Sequence, residues 1–133
     1  MTAVVADTPA LVWYLRGDPN LSATALAAIE DALTVGNPVH FATVSLVEVT
    51  YLVEKGRLPQ SVHAMVTAVL SDPRSGIRPV PFDLAMAEAL ARVPRAIVPD
   101  MPDRMITATA IHLGLPLITR DARIRRANVP TIW

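Results

Sequence analysis

Short apolar runs alternate along the chain with segments in which apolar residues recur every three or four positions. The runs are typical of buried strands, and the periodic segments are typical of helices. The predicted strands are Ala3–Ala6, Pro38–Ala42, Ile77–Pro81, Leu117–Thr119 and Thr131–Trp133. The predicted helices are Pro9–Leu15, Ser22–Leu33, Leu46–Glu54, Gln60–Leu70, Asp83–Arg92 and Pro102–Leu113. This alternation predicts an α/β fold with a mostly parallel sheet of four or five strands, covered by helices on both faces.

No linker, repeat or low-complexity segment divides the 133 residues, so we expect residues 1–133 to form one domain. The strand Ile77–Pro81 contains two prolines, which favours a position at the edge of the sheet. Helix starts are also visible in the sequence. Thr8 before Pro9 predicts one N-cap, Asp83 predicts another, and Ser45-x-x-Glu48 has the form of a capping box.

Composition narrows the class of protein. Hydrophobic residues make up 52% of the chain and mean hydropathy is +0.38, which argues against disorder and indicates apolar surface for a partner. The absence of cysteine excludes disulfides, thiolate metal sites and thiol nucleophiles. Neither a signal peptide nor an uninterrupted apolar span is visible, so we expect a cytoplasmic protein that does not enter a membrane.

Charge is unevenly distributed although the net charge is zero. Residues 1–91 carry nine acidic and five basic side chains, whereas residues 92–133 carry seven arginines and three aspartates. Guanidinium groups suit phosphate recognition, so the late part of the chain is a candidate nucleic-acid surface. Solvated helix faces rich in arginine are the alternative interpretation.

Four carboxylates occur where predicted strands give way to helices. They are Asp7, Glu48, Asp103 and Asp121. Because the carboxyl ends of parallel strands meet at one edge of a sheet, we expect these side chains to face one crevice. Arg104 and Arg120 each adjoin one of these acids and are the predicted substrate-binding residues.

Each acid taken singly could be no more than a helix cap. Taken together, converging carboxylates repel one another, and such a cluster is tolerable only with a cation or a shared proton. An all-oxygen ligand set favours Mg²⁺ or Mn²⁺ over Zn²⁺. A cation held by carboxylates, with arginines beside it to bind phosphate, is an arrangement suited to phosphodiester hydrolysis.

Four ordered segments carry a resemblance that extends over nearly the whole chain. They are Val4-Val5-Ala6-Asp7-Thr8, Ser45-Leu46-Val47-Glu48-Val49, Asp103-Arg104-Met105-Ile106-Thr107-Ala108-Thr109-Ala110 and Leu117-Ile118-Thr119-Arg120-Asp121. Together they resemble the PIN-domain family, and within it the VapC-type toxins of bacterial toxin–antitoxin pairs. The most specific parts are the helical segment Asp103–Ala110, the following Gly114-Leu115-Pro116-Leu117 and then the Thr-x-Asp segment.

The resemblance implies a three-layer α/β/α sandwich and an endoribonuclease that depends on Mg²⁺ or Mn²⁺. It implies that Asp7, Glu48, Asp103 and Asp121 are the catalytic, metal-binding quartet, with Thr119 as a supporting hydroxyl. Asp100 falls outside the quartet, and we interpret it as a helix cap, with a supporting role at the site as the alternative. The resemblance further implies an RNA substrate, a VapB-type antitoxin as partner and a homodimer.

Two other functions fit parts of the sequence. A phosphoryl-transfer domain would also place an aspartate after the first strand, but it needs a lysine near the late strands, and Lys55 lies on an early helix. A PIN-like module that binds without catalysis would be favoured if an acid of the quartet were missing, and none is. The three histidines, His40, His63 and His112, have no spacing that forms a metal pair or a triad.

Overall fold

A five-stranded parallel sheet lies at the centre of the computed structural model, which describes residues 2–133. Its strands are β1 (Val4–Ala6), β2 (Val39–Ala42), β3 (Ile77–Val80), β4 (Leu117–Ile118) and β5 (Thr131–Ile132). Their order across the sheet is β3-β2-β1-β4-β5, and every neighbouring pair runs parallel. The predicted α/β fold is confirmed, and β3 lies at an edge, as its prolines indicated.

Helices cover both faces of this sheet. They are α1 (Thr8–Arg16), α2 (Ala23–Thr34), α3 (Thr43–Glu54), α4 (Gln60–Ser71), α5 (Leu84–Ala89) and α6 (Met101–Leu113), with short 3₁₀ turns at Leu90–Arg92 and Ile124–Arg126. Successive strand side chains point to opposite faces. Val4 and Ala6 therefore pack into one core with α1, α2 and α4, whereas Val5 packs into a second core with α5 and α6. No helix within residues 2–133 is long and apolar enough to cross a membrane.

Two helices begin elsewhere than the sequence predicts. Asp7, not Thr8, caps α1, because its carboxylate accepts a hydrogen bond from the backbone N–H of Ala10. α3 begins at Thr43 after Ala42, which provides no side-chain cap. The expected capping box is therefore wrong: Ser45 lies inside the helix, where its buried hydroxyl has no hydrogen-bond partner.

The caps of the two late helices agree with the sequence. Asp83 accepts a hydrogen bond from the N–H of Met86 at the start of α5, and Asp100 accepts one from the N–H of Asp103 at the start of α6. At its other end, α6 stops at Gly114, which adopts a left-handed conformation with φ +66°. These caps fix where α6 begins and so where its first turn meets the sheet.

Arg104 ties the first turn of α6 to the segment that precedes it. Its Nε donates to the carbonyl of Val93 at 2.8 Å, and its Nη2 donates to the carbonyl of Leu90 at 3.3 Å. Val93 is fully buried, so its carbonyl depends on a protein donor. The guanidinium therefore supplies hydrogen bonds to a stretch of backbone that is not in a regular helix or strand.

Replacing Arg104 tests this role. We expect Arg104→Ala to lower the free energy of unfolding by about 1–3 kcal/mol, because it leaves buried carbonyl oxygen without a donor. Urea denaturation measures the change. The matched control is Arg92→Ala, an exposed arginine in the same region, for which we expect a change of less than about 0.5 kcal/mol. Equal losses in the two variants would contradict the assignment.

Candidate active site

A cleft of about 500 Å³ lies where the strands end. Its lining includes the four predicted acids, Asp7, Glu48, Asp103 and Asp121, together with Arg120. Asp7 follows β1, Asp121 lies three residues after β4, Glu48 comes from the second turn of α3, and Asp103 comes from the first turn of α6. The structure thus brings together side chains that are far apart in the sequence.

Asp7 is the most deeply placed of these acids, with 6% of its surface exposed. Burial raises its pKa from 3.8 to about 6, against the opposing effect of two hydrogen bonds, from the Thr119 hydroxyl and the N–H of Ala10. The negative charges of Glu48 and Asp121 raise it further. The folded protein therefore holds Asp7 in surroundings that disfavour its charge.

Glu48 is oriented by the residue that follows Asp7. The Thr8 hydroxyl donates to Glu48 Oε1 at 2.6 Å, across 40 positions of sequence. Burial raises the pKa of Glu48, the bond from Thr8 lowers it, and the charge of Asp100 raises it. The sequence did not identify Thr8 as a residue of the site. Its position directly after Asp7 was the signal that could have found it.

Asp103 is the most strongly perturbed carboxyl group of the cleft. Burial raises its pKa from 3.8 to about 7, and the negative charges of Asp100, Asp121, Glu48 and Asp7 each raise it further. Asp100 caps α6, as predicted, and its charge also raises the pKa values of Glu48 and Asp103. The cluster therefore has five carboxylates that interact electrostatically.

Asp121 is held by its own loop. One of its oxygens accepts hydrogen bonds from the N–H groups of Arg123 and Ile124, at 2.8 and 3.0 Å. Its own N–H donates to the hydroxyl of Thr119, which is fully buried. Thr119 thus contacts both Asp7 and the Asp121 backbone, and its supporting role at the site stays a prediction.

No cationic side chain among residues 2–133 forms an ion pair with these carboxylates. The ion pair that does form in this range, Arg74–Asp72, lies on the exposed surface. Arg120 lines the cleft, but its guanidinium lies over the ring of Trp13, 4.5 Å from the ring centroid. The negative charge of the cluster is therefore not balanced by the described side chains.

The donor set fits a hard divalent cation. Its side-chain donors are carboxylate and hydroxyl oxygens, which Mg²⁺ and Mn²⁺ prefer. In the described part of the chain, no three acidic or histidine side chains are close enough to hold one metal ion jointly. Mg²⁺ does not need such a cage, because it commonly binds one or two carboxylates and keeps several waters. One or two of the carboxylates of Asp7, Glu48, Asp103 and Asp121 would hold it directly.

Most of the other lining residues of the cleft are apolar, and we call them its apolar wall. They are Pro9, Val12, Trp13, Leu52 and Leu58. Trp13 also meets Trp133 edge-on, with ring centroids 6.0 Å apart. The sequence reasoning missed the contact with Trp133, since no local pattern relates the first helix to the last strand. The cleft thus combines an acidic wall with an aromatic one.

Two further residues of the sequence analysis lie away from the cleft lining. Arg104, predicted to bind substrate, uses its guanidinium on the carbonyls of Val93 and Leu90, so we assign it a structural role instead. Lys55, which a phosphoryl-transfer domain would need near the late strands, follows α3 and lies near the ring of Tyr51. This position does not support phosphoryl transfer.

Comparison with known proteins places this geometry in a family. Residues 4–130 match the family described as PIN domain. The chain is 30% identical over 136 positions to Ribonuclease VapC22 of Mycobacterium tuberculosis, and the alignment covers 100% of both proteins. The match thus extends through all four segments that carry the acids.

Solved structures show the same fold. A chain in the crystal structure of VapBC2 from Rickettsia felis, bound to a DNA fragment from their promoter, superposes with a TM-score of 0.73 at 15% identity, covering 98% of this chain and 97% of that one. A chain in DNA-bound VapBC from Salmonella typhimurium gives 0.71 at 17% identity, covering 98% and 97%. With the family match and the full-length relative, these findings show that the chain belongs to the PIN-domain family.

Proposed function

We propose that this protein is a metal-dependent endoribonuclease, the toxin of a VapBC-type toxin–antitoxin pair, acting in the cytoplasm. The observation that carries the proposal is the cleft in which Asp7, Glu48, Asp103 and Asp121 meet without a protein cation to balance them. The ribonuclease name of the full-length relative supports RNA as the substrate. The complete quartet favours hydrolysis over binding alone.

Different residues of the cleft have different roles in the proposed hydrolysis. Bound Mg²⁺ or Mn²⁺ supplies a Lewis acid for the phosphate and lowers the pKa of water. Thr119 and Thr8 hold the carboxylates of Asp7 and Glu48 in fixed orientations. Arg120 is placed to bind a phosphate oxygen, because its guanidinium lies at the cleft and is not engaged in an ion pair.

The proposed partner is a VapB-type antitoxin. Two of the solved structures with this fold are VapBC complexes, which supports such a partner. Without metal, the acidic wall attracts an arginine or lysine side chain, and the apolar wall beside Trp13 and Leu52 suits an amphipathic helix. A basic side chain of the antitoxin would then compete with the metal for the same carboxylates.

We also propose a homodimer. Several large apolar side chains are exposed in the described chain, and burying them against a second copy would be favourable. They include Val47 and Tyr51 of α3, Leu84 of α5 and Met101 of α6.

The first test concerns Asp7. We expect Asp7→Asn to abolish most Mn²⁺ binding in isothermal titration calorimetry. In metal-free protein at pH 7 it should raise the free energy of unfolding by up to about 3 kcal/mol, because a buried charge is removed. Asp31→Asn, on the exposed face of α2, is the matched control and should change neither quantity. Unchanged Mn²⁺ affinity in Asp7→Asn would contradict the assignment.

The second test concerns pH. Folding raises the pKa of Asp7 to about 6 and that of Asp103 to about 7, so between pH 4 and 7 the folded state binds more protons than the unfolded state. The metal-free protein should therefore lose stability as pH rises through this window. Thermal unfolding in EDTA measures the slope, which Asp103→Asn should reduce. A stability that rises with pH over this range would contradict these pKa shifts.

The third test concerns the products of cleavage. Hydrolysis by water leaves 5′-phosphate and 3′-hydroxyl ends, and no pair of histidines in the sequence serves attack by the 2′-hydroxyl group. Purified protein incubated with total RNA and Mn²⁺ should give such ends by end-mapping, and EDTA should abolish cleavage. Cyclic 2′,3′-phosphate ends, or cleavage that persists in EDTA, would show that the mechanism is different.

A further inference from the structure

A second cleft adjoins the first on the far side of two of the acids. It has a volume of about 280 Å³ and is lined by Val98, Pro99, Asp100, Asp103, Asp121, Ala122 and Arg123. Asp103 and Asp121 line both clefts. These two residues therefore lie at the boundary between the two clefts, which we call the ridge.

Each cleft has one arginine of its own, and both arginines come from the loop after β4. Arg120 lines the first cleft, where the ring of Trp13 holds its guanidinium at 4.5 Å. Arg123 lines the second cleft, and its backbone N–H is fixed by a 2.8 Å hydrogen bond to Asp121. Both side chains are exposed. Asp121 thus lies between two arginines that the same loop positions.

Neither arginine neutralises the acids beside it. Within the described residues no guanidinium nitrogen of Arg120 or Arg123 comes within 4.0 Å of a carboxylate oxygen, although acids line both clefts. A guanidinium that served only to balance the cluster would be expected to pair with it directly. Both side chains are instead left with donors that a phosphate could take.

We propose that the second cleft is a nucleotide subsite, and that a single RNA strand crosses the ridge of Asp103 and Asp121. This inference rests on the proposed function, since cleavage at the ridge requires the strand to continue on both sides of the cut phosphate. Arg120 binds the strand on one side of the cut, and Arg123 binds it on the other. Pro99 and Ala122 give the second cleft apolar contacts for a sugar or base.

The charges around the two clefts determine the path of the RNA strand. An acidic ridge repels phosphates, so a polyanion can lie across it only where cations receive the phosphates on either side. Proline and alanine walls without a large aromatic ring predict that the second cleft accepts a nucleotide with little preference for its base. Specificity for sequence would then arise mainly in the cleft that contains Trp13.

The experiment uses single-stranded RNA oligonucleotides that contain a mapped cleavage site, with Mn²⁺ and the full chain. KM and its dependence on salt are measured for wild type, Arg120→Gln and Arg123→Gln. We expect each variant to raise KM and to reduce the slope of log KM against log salt by about 0.7, the value for one phosphate contact on a single strand. Arg123→Lys should restore most of the slope.

Truncating the substrate decides on which side each arginine acts. When nucleotides are removed from one end, Arg123→Gln should cease to affect KM while Arg120→Gln still does, and removal from the other end should give the reverse. The control is Arg74→Gln. Arg74 precedes β3, at the amino-terminal end of that strand, so its replacement should change neither KM nor the salt slope.

Two results overturn the inference while leaving the proposed function intact. In one, wild type cleaves but neither arginine variant changes KM or the salt slope. In the other, both variants lose their effect on truncation from the same end. If wild type cleaves no RNA with Mn²⁺, the proposed function itself fails, and the inference fails with it. Circular dichroism of each variant shows that a change in KM is not a loss of fold.

Discussion

Desolvation of clustered carboxylates, reinforced by their mutual repulsion, is the constraint on which the rest of this site depends. Asp7 and Asp103 lie in surroundings that raise their pKa values to about 6 and about 7, first through burial and then through neighbouring negative charge. Such an arrangement opposes folding at neutral pH unless protons or a cation balance the charge. The fold therefore maintains a cluster of carboxylates whose charge is unfavourable alone, and which protons or the proposed cation would stabilise.

The parallel sheet supplies the means to hold this cluster. β1 and β4 are neighbours and end at the same edge of the sheet, so Asp7 and Asp121 line the same cleft although they are far apart in the sequence. Each strand end also provides a threonine, and these hydroxyls bond to the carboxylates: Thr8 to Glu48 and Thr119 to Asp7. Neutral donors can orient the carboxylates while leaving their charge available to a metal ion.

Much of this arrangement could be predicted from the sequence. Short apolar runs predicted the strands. The acids directly after them predicted that the site lies at the carboxyl ends of the strands. Contacts that join distant segments could not be predicted. Ser45 and Glu48 have the spacing of a capping box, but α3 begins at Thr43, directly after β2, and Glu48 accepts a hydrogen bond from Thr8. Arg104 adjoins Asp103, but its guanidinium hydrogen-bonds to carbonyls of the preceding segment, which no local sequence pattern indicated.

The most direct test of this account is the number of protons released when Mn²⁺ binds. Calorimetry at pH 6.5 in buffers of different ionisation enthalpy measures this number. With pKa values of about 6 for Asp7 and about 7 for Asp103, the account predicts release of about one proton per protein, falling toward zero at pH 8.5. Binding of Mn²⁺ without proton release at pH 6.5 would contradict the claim that the metal neutralises this cluster.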